Sequence, residues 1–380
     1  MKRMLCLMLL SAVLLPGRGF GREPLRDAAI PIAAPSAILM EQQTGTVLYE
    51  KNADARMAPA SVTKIMTLLL IAEDLDSGKI RLDDVVTASA RAASFGGSCV
   101  YLEEGERMSV EEMIKCIAVV SANDCAVAMA EHLSGTEELF VQRMNRRAEE
   151  LGLSNTHFTD CTGLFDGEEH YSSARDIALL SRELMRHEQM RNYTTIWMDS
   201  IRDGQFELVN TNKLVYWYEG CTGLKTGFTS KAMYCLSATA ERDGISFIAV
   251  ILHGESADSR NADATTLLNY AFANFSLCSL RPETALPEIP VEMGEQGSLR
   301  LRYGGEAWAL ASKGNTTADY ALSLPELLSA PVRADQPVGT LTVKLGEEVV
   351  AEVPILAADA VERIGFWGIF KKLAGSLVGL

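Results

Sequence analysis

A change of pattern at Gly223 constrains this chain most. Ahead of it, apolar residues recur mainly at helical spacing. After it come three strand-like runs, "TGLKTGFT", "AMYCLSATA" and "ISFIAVILHG", the last two joined at the hairpin signal Asp243-Gly244. One more helix, Ala262 to Phe275, closes this region. Near the start, "SAILMEQQTGTVLYEKN" reads as two strands, Ala37 to Met40 and Thr46 to Tyr49, joined at a Gly-containing turn. Between these strand regions, helical runs cover Ser61 to Leu75, Val110 to Val120, Asp124 to Leu133 and Thr136 to Leu151. The second and third are broken at "SAN", and the last stops at Gly152.

Both ends differ from this middle. "MKRMLCLMLLSAVLLPGRGFG" has a basic start, an apolar run from Leu5 to Leu15 and a breaking Pro16, the pattern of a secretory leader over residues 1–21. Cleavage near Gly19 to Gly21 is expected, with an uncleaved anchor as the alternative; no other window reaches the ~18 apolar residues of a spanning helix. Beyond about Leu280, short β-like runs such as "SLRLRY", "AWALAS" and "TLTVKLG" alternate with turn residues, predicting a small antiparallel β domain over 281–357. The main domain is then 22–280. Residues 358–380 end in "GFWGIFKKLAGSLVGL", where Phe366, Ile369, Phe370, Leu373, Leu377 and Leu380 share one helical face and Lys371 and Lys372 lie opposite. That segment reads as a helix lying on a membrane surface, or else as a terminal helix docked on the protein.

The formal charge is −15 and becomes more negative when Lys2, Arg3 and Arg18 leave with the leader. Nucleic acid is disfavoured as a partner, because phosphate binding needs a basic surface. Seven cysteines remain after Cys6 is removed, an odd number with no CxxC and no regular spacing. They read as buried thiols, with neither a metal site nor a disulfide framework indicated, and no cofactor is implied.

Chemistry concentrates in three short motifs. In "APASVTKIMT", Ser61 and Lys64 stand at i and i+3 at a helix start, close enough to share a hydrogen bond. Ser61 is then either a helix cap or a nucleophile with Lys64 as its base. The second role needs a lysine whose charged form is disfavoured by burial or by another cation. "SAN", Ser121 to Asn123, places two polar side chains between apolar runs, and "KTGFT", Lys225 to Thr229, lies on a strand. SxxK followed by an SDN-like triplet and KTG is the shared signature of class A β-lactamases and penicillin-binding proteins. Here Ser121 follows Ser61 by 60 residues and Lys225 follows Ser121 by 104.

With these motifs, and with "HFTDCTGLFDGEEHYSSARDIALLSREL", "TNKLV" and "GLKTGFTSKAMYCLSATAERDG", the chain resembles the serine-type D-alanyl-D-alanine carboxypeptidases among the low-molecular-mass penicillin-binding proteins. The resemblance implies an α/β fold, a five-stranded antiparallel sheet with helices on both faces (β-lactamase/transpeptidase-like), followed by a small C-terminal all-β domain and the amphipathic helix. It implies removal of the terminal D-alanine from peptidoglycan pentapeptide stems, through an acyl-enzyme on Ser61 that β-lactam antibiotics also form. By the same resemblance Lys64 takes the serine proton, Ser121 relays a proton to the leaving amine and Asn123 holds the substrate amide. Lys225 keeps the site cationic and, with Thr226 and Thr229, meets the substrate carboxylate. Gly227 lets substrate approach the strand, and the backbone N–H groups of Ser61 and Phe228 form the oxyanion hole. Arg260 is a further carboxylate contact or a solvated arginine; Lys213 is a weaker candidate; His157 and His170 are structural. Phe228 stands where some relatives carry histidine, and Cys125, close behind "SAN", could make the site thiol-sensitive. The implied location is extracytoplasmic, on the outer face of the cytoplasmic membrane. Two alternatives stay open: a class A-like β-lactamase, against which stand the second domain and the terminal amphipathic segment that such enzymes lack, and a non-catalytic wall-binding protein of the same fold.

Overall fold

Side-chain alternation along two strands sets the layers. The computed structural model describes residues 30–165, 167–305, 308–314 and 318–370. In β1 (Ser36–Glu41) Ile38 and Met40 join one apolar cluster while Ala37 and Leu39 join another. In the long strand Ile245–Gly254, Ile248, Val250 and Leu252 go to the first cluster and Phe247, Ala249 and Ile251 to the second. Successive residues of a strand point to opposite faces, so a sheet apolar on both must be covered on both.

The sheet has five strands. With β2 (Val47–Lys51), β3 (Cys221–Thr229), β4 (Met233–Arg242) and β5 (Ile245–Gly254), the order is β2-β1-β5-β4-β3, and every neighbouring pair is antiparallel. The implied fold is the one observed. One face is covered by residues from α1 (Lys64–Asp76), α2 (Val110–Lys115), α3 (Asn123–Ser134), α4 (Glu137–Glu150) and α5 (Ala174–Leu184). The other is covered by α6 (Ala257–Asn274) through Ala264, Leu267, Leu268, Ala271 and Phe272. Helix α1, "KIMTLLLIAEDLD", is buried on nearly every side, as its near-continuous apolar sequence requires.

Caps set several helix starts. Ser109 and Glu112 form a reciprocal capping box on α2, and Thr136 and Ser173 cap α4 and α5. The closing helix begins one turn earlier than its apolar spacing suggested, because the Ser256 hydroxyl accepts the Ser259 N–H. Two short antiparallel strand pairs, Val85–Thr87 with Arg107–Ser109 and Met198–Ile201 with Phe206–Val209, carry no sequence signal strong enough to single out.

Two compact units divide the described residues, one built from 30–278 and 310–314, the other from 279–305, 308–309 and 318–370. The second is all-β. A four-stranded antiparallel sheet runs in the order Leu301–Tyr303, Glu348–Ala357, Pro337–Leu345, Ala318–Ser323. In a three-stranded sheet Ile289–Glu292 pairs Leu328–Ser329 in parallel, where only antiparallel pairing was expected. Residues 366–370 make a helical turn with Phe366, Trp367 and Phe370 exposed. The leader and residues 371–380 of the amphipathic segment lie outside the described residues.

Candidate active site

Ser61 sits in a 3-10 turn, Ala60–Thr63, that feeds directly into α1. Neither Pro59 nor Thr63, the residues at the two helix starts, caps with a side chain, and the Ser61 hydroxyl does not cap either. It meets Lys64 Nζ at 3.0 Å. The cap reading of Ser61 therefore gives way: the turn is held from outside. Ala60 adopts φ +48°, and Gly163, itself at φ +73°, packs so closely that a Cβ there would stand 1.8 Å from the Ala60 carbonyl oxygen.

Lys64 is wholly buried. Besides Ser61, its ammonium donates to Asn123 Oδ1 at 2.6 Å and to the Thr162 carbonyl at 2.8 Å. That carbonyl is aimed by Asp160, whose Oδ1 accepts the N–H groups of Thr162 and Gly163 at 2.7 and 2.6 Å and the Thr162 hydroxyl at 2.7 Å. Burial pushes the Lys64 amine down to about 8, against the opposing pull of Asp160 and Asp124. "DCTG" carries no motif signal of its own. Its physical content, an aspartate turn presenting a carbonyl to the lysine, is not visible in residue types alone.

Ser121 ends a π-helical turn, Cys116–Val120, and takes φ +65°. Its hydroxyl is buried with no hydrogen-bond partner among the described residues. A non-glycine residue in the left-handed region after a π-turn costs local free energy, and such strain clusters at functional sites. Asn123 is engaged at both ends, accepting from Lys64 and donating through Nδ2 to the Gly96 carbonyl at 2.8 Å. The next residue, Asp124, was missed: its buried carboxylate accepts the N–H groups of Val100 and Leu102, both at 3.1 Å, and ties residues 98–102 to the start of α3.

β3 is an edge strand of the sheet, and it brings "KTGFT" against the Ser61 turn. A Cβ on Gly227 would lie 2.8 Å from the Pro59 carbonyl oxygen, 3.0 Å from Ser61 N and 3.1 Å from Ala60 Cβ. Strand-to-turn packing is thus a first reason for glycine here, ahead of the substrate approach inferred from sequence. Lys225 is buried, donates to the Thr226 carbonyl at 3.0 Å, and is held well below the usual lysine range by burial and by the Lys64 and Arg260 cations. The Thr226 hydroxyl donates to Thr211 Oγ1 at 2.7 Å, and Thr229 Oγ1 accepts the Ala232 N–H at 2.9 Å. Phe228 is half-exposed, its ring tilted against Tyr234 with centroids 4.5 Å apart. Arg260 is buried, not solvated, and donates to the Cys235 carbonyl at 3.3 Å. Lys213 is exposed.

His170 is buried between Thr63 Oγ1 and the Thr159 N–H, and His157 bonds the Glu169 carbonyl, both structural roles as expected. The seven cysteines from Cys99 to Cys278 are all free thiols. Cys125 is fully buried with its thiol pushed well above the usual range by burial, which argues against the suggested sensitivity to thiol reagents.

A family model described as D-alanyl-D-alanine carboxypeptidase matches residues 24–256, more than half of the sequence. The chain belongs to this family. A second model, the C-terminal domain of penicillin-binding protein 5, matches residues 289–363. The chain is 41% identical to D-alanyl-D-alanine carboxypeptidase DacF of Bacillus subtilis, over 99% of this chain and 98% of that one. It is 32% identical to DacC of Escherichia coli, over 89% and 88% respectively. Among solved structures, penicillin-binding protein 5 of Haemophilus influenzae superposes with a TM-score of 0.78 at 29% identity, covering 90% of this chain and all of that one. DacD of Francisella tularensis superposes with a TM-score of 0.69 at 28% identity, covering 92% of this chain and all of that one. The protein is a serine-type D-alanyl-D-alanine carboxypeptidase of the penicillin-binding class. This family works outside the cytoplasm on D-Ala-D-Ala peptidoglycan and binds β-lactams.

Proposed function

We propose that Ser61 is the nucleophile and Lys64 its base, removing the terminal D-alanine from pentapeptide stems. One observation carries the reading: the partner set of Lys64. A neutral amine has two N–H donors and one lone pair. Asn123 Oδ1 and the Thr162 carbonyl accept the two donors, so the lone pair is left facing the Ser61 hydroxyl 3.0 Å away. The Ser61 proton passes to Lys64 as Oγ bonds the carbonyl carbon of the penultimate D-alanine. The resulting oxyanion is placed at the backbone N–H groups of Ser61 and Phe228. Collapse breaks the C–N bond, and the leaving amine takes its proton through Ser121, whose unpartnered hydroxyl stands available for that transfer. Water then hydrolyses the ester.

For the substrate carboxylate the reading uses Lys225, Thr226, Thr229 and Arg260. Lys225 is poised for an anion, because a bound carboxylate favours the charged amine that burial alone disfavours. Each amide group of Asn123 keeps one further hydrogen bond for the substrate backbone.

The test is a mass measurement: wild-type protein should gain one penicillin, and Ser61→Ala should gain none. No gain on wild type sinks the mechanism. Slow release of the bound penicillin, set against steady D-alanine release from a peptide, separates this reading from a β-lactamase.

We further propose that the chain is peripheral on the outer face of the cytoplasmic membrane through its C-terminal segment. Exposed Phe366, Trp367 and Phe370 support an interfacial contact, and no helix among the described residues is long and apolar enough to cross a membrane. Deleting residues 361–380 should release the mature chain from membranes with soluble-peptide activity retained; an unchanged membrane fraction, with leader cleavage verified, counts against it.

A further inference from the structure

Beside the cleft lies a cluster of aromatic rings that the chemistry does not use. Tyr216 and Trp217, 59% and 72% exposed, end the short helix Leu214–Trp217, and Trp197 is half-buried next to them. The Tyr216 ring lies tilted on Trp197 with centroids 5.1 Å apart and meets Trp217 edge-on at 4.8 Å. The backbone beneath is fixed. Asn210 donates to the Ile196 carbonyl through Nδ2 at 2.7 Å and to the Trp197 carbonyl through its N–H at 2.9 Å, and the Trp217 N–H reaches the Lys213 carbonyl at 3.1 Å. Single exposed apolar side chains need no explanation; three contiguous rings on a rigid support do.

The cluster is continuous with the substrate site. Thr211, five residues before Tyr216, takes the Thr226 hydroxyl at 2.7 Å on one side and donates its N–H to the Val119 carbonyl, two residues before Ser121, at 3.0 Å on the other. Whatever enters the cleft is a D-Ala-D-Ala stem, and in the wall that stem hangs from a polysaccharide of N-acetylated sugars. Four stem residues span at most about 14 Å when extended. Much of the path from Thr211 to Trp217 is helical, at about 1.5 Å per residue, so rings and stem end are of matching reach. The C–H face of a pyranose ring suits the negative face of an aromatic ring. A chain with a formal charge of −15 suits a neutral sugar better than a polyanion.

We propose that Trp197, Tyr216 and Trp217 form a saccharide subsite that stacks a sugar ring of the glycan strand carrying the stem. This inference rests on the carboxypeptidase reading above. The mature chain is assayed on a free pentapeptide ending in D-Ala-D-Ala and on the same pentapeptide joined to its N-acetylated disaccharide. Trp217→Ala should lower the ratio of kcat/KM, linked over free, roughly tenfold, the loss of one ring contact; Trp217→Phe should restore most of it. An unchanged ratio, including one in which both substrates lose activity equally, overturns the proposal. A binding measurement stands apart from turnover: stem-free disaccharide titrated into Ser61→Ala protein should change tryptophan fluorescence saturably, and the change should vanish when Trp217→Ala is added. No saturable change overturns the subsite. If wild type released D-alanine from neither substrate, the carboxypeptidase reading would fall, while this titration would still judge the rings.

Discussion

Gly227→Ala tests the geometry of the site with a single methyl group. The added Cβ would meet the Pro59 carbonyl oxygen at 2.8 Å, Ser61 N at 3.0 Å and Ala60 Cβ at 3.1 Å, and two of these three atoms are backbone. Ordinary non-bonded contact for carbon needs about 3.5–4.0 Å, so strand and turn must part by roughly 0.5–1 Å. Overpacking of this kind costs about 1–3 kcal/mol. At about 2–4 °C per kcal/mol for a unit of this size, the melting temperature should fall by roughly 2–12 °C. The catalytic loss should be larger in proportion. The two N–H groups proposed for the oxyanion belong to Ser61 and Phe228, one on each side of the strained contact, and a shift near 1 Å can cost about 10²-fold in rate. The assay is the rate of acylation by a fluorescent penicillin, measured beside thermal unfolding, with Gly297→Ala as control because nothing lies within 4 Å of a Cβ there. Acylation within threefold of wild type would refute the argument that Gly227 sets the distance between strand and nucleophile.

The acylation rate should rise with pH through about 8 and then level, since attack needs neutral Lys64 and burial lowers its pKa to that value; at pH 6 it should be roughly a hundredfold below the plateau, and a flat profile would exclude Lys64 as the base. Lys64→Arg keeps a charge but cannot give up its proton, so penicillin acylation should fall more than about 10²-fold while the protein still folds, as judged by circular dichroism. Gly163→Ala should fail to fold or lose several degrees of melting temperature, because a Cβ would lie 1.8 Å from the Ala60 carbonyl oxygen at a glycine with φ +73°. A thiol reagent should react slowly with native protein and then with seven groups in the denatured mature chain; a lower count would mean that some cysteines pair.

The layered fold was legible because strand periodicity and helix stops are local signals: β4, β5 and the "SAN" interruption stand in the structure near where spacing put them. The exceptions are instructive. Helix α5, capped where the Ser173 hydroxyl accepts the Asp176 N–H, was not among the expected helices. At the site, residue types and order singled out Ser61, Lys64, Ser121, Asn123 and Lys225 as candidates, yet their contacts came largely from residues with no motif of their own. The Thr162 carbonyl, aimed by the Asp160 turn, is 98 residues from Lys64 in the chain, and the Thr211 hydroxyl and the Asp124 carboxylate are 15 and 22 residues from Thr226 and Leu102; pairing across such separations leaves no helical or strand spacing to read.

Backbone strain explains why these separate pieces act as one site. Ala60 at φ +48° and Ser121 at φ +65° are both in a region that costs a residue with a side chain free energy, on the order of 1–3 kcal/mol each. Neither would persist in an isolated turn. Ala60 is held by Gly163 from one side and by Gly227 from the other; Ser121 is held by the Cys116 carbonyl, which accepts its N–H, and by the Ser98 carbonyl, which takes the N–H of Asn123. The proposed nucleophile and the proposed proton relay are thus each fixed by segments distant in sequence, and Lys64 touches both motifs through Ser61 and Asn123. Loosening the milder clamp at Gly227 should therefore lower acylation out of proportion to stability. Comparing Gly227→Ala with an equally destabilising substitution in the second core cluster, such as Leu267→Ala on α6, would show it: at matched melting temperature, only the first should lose acylation.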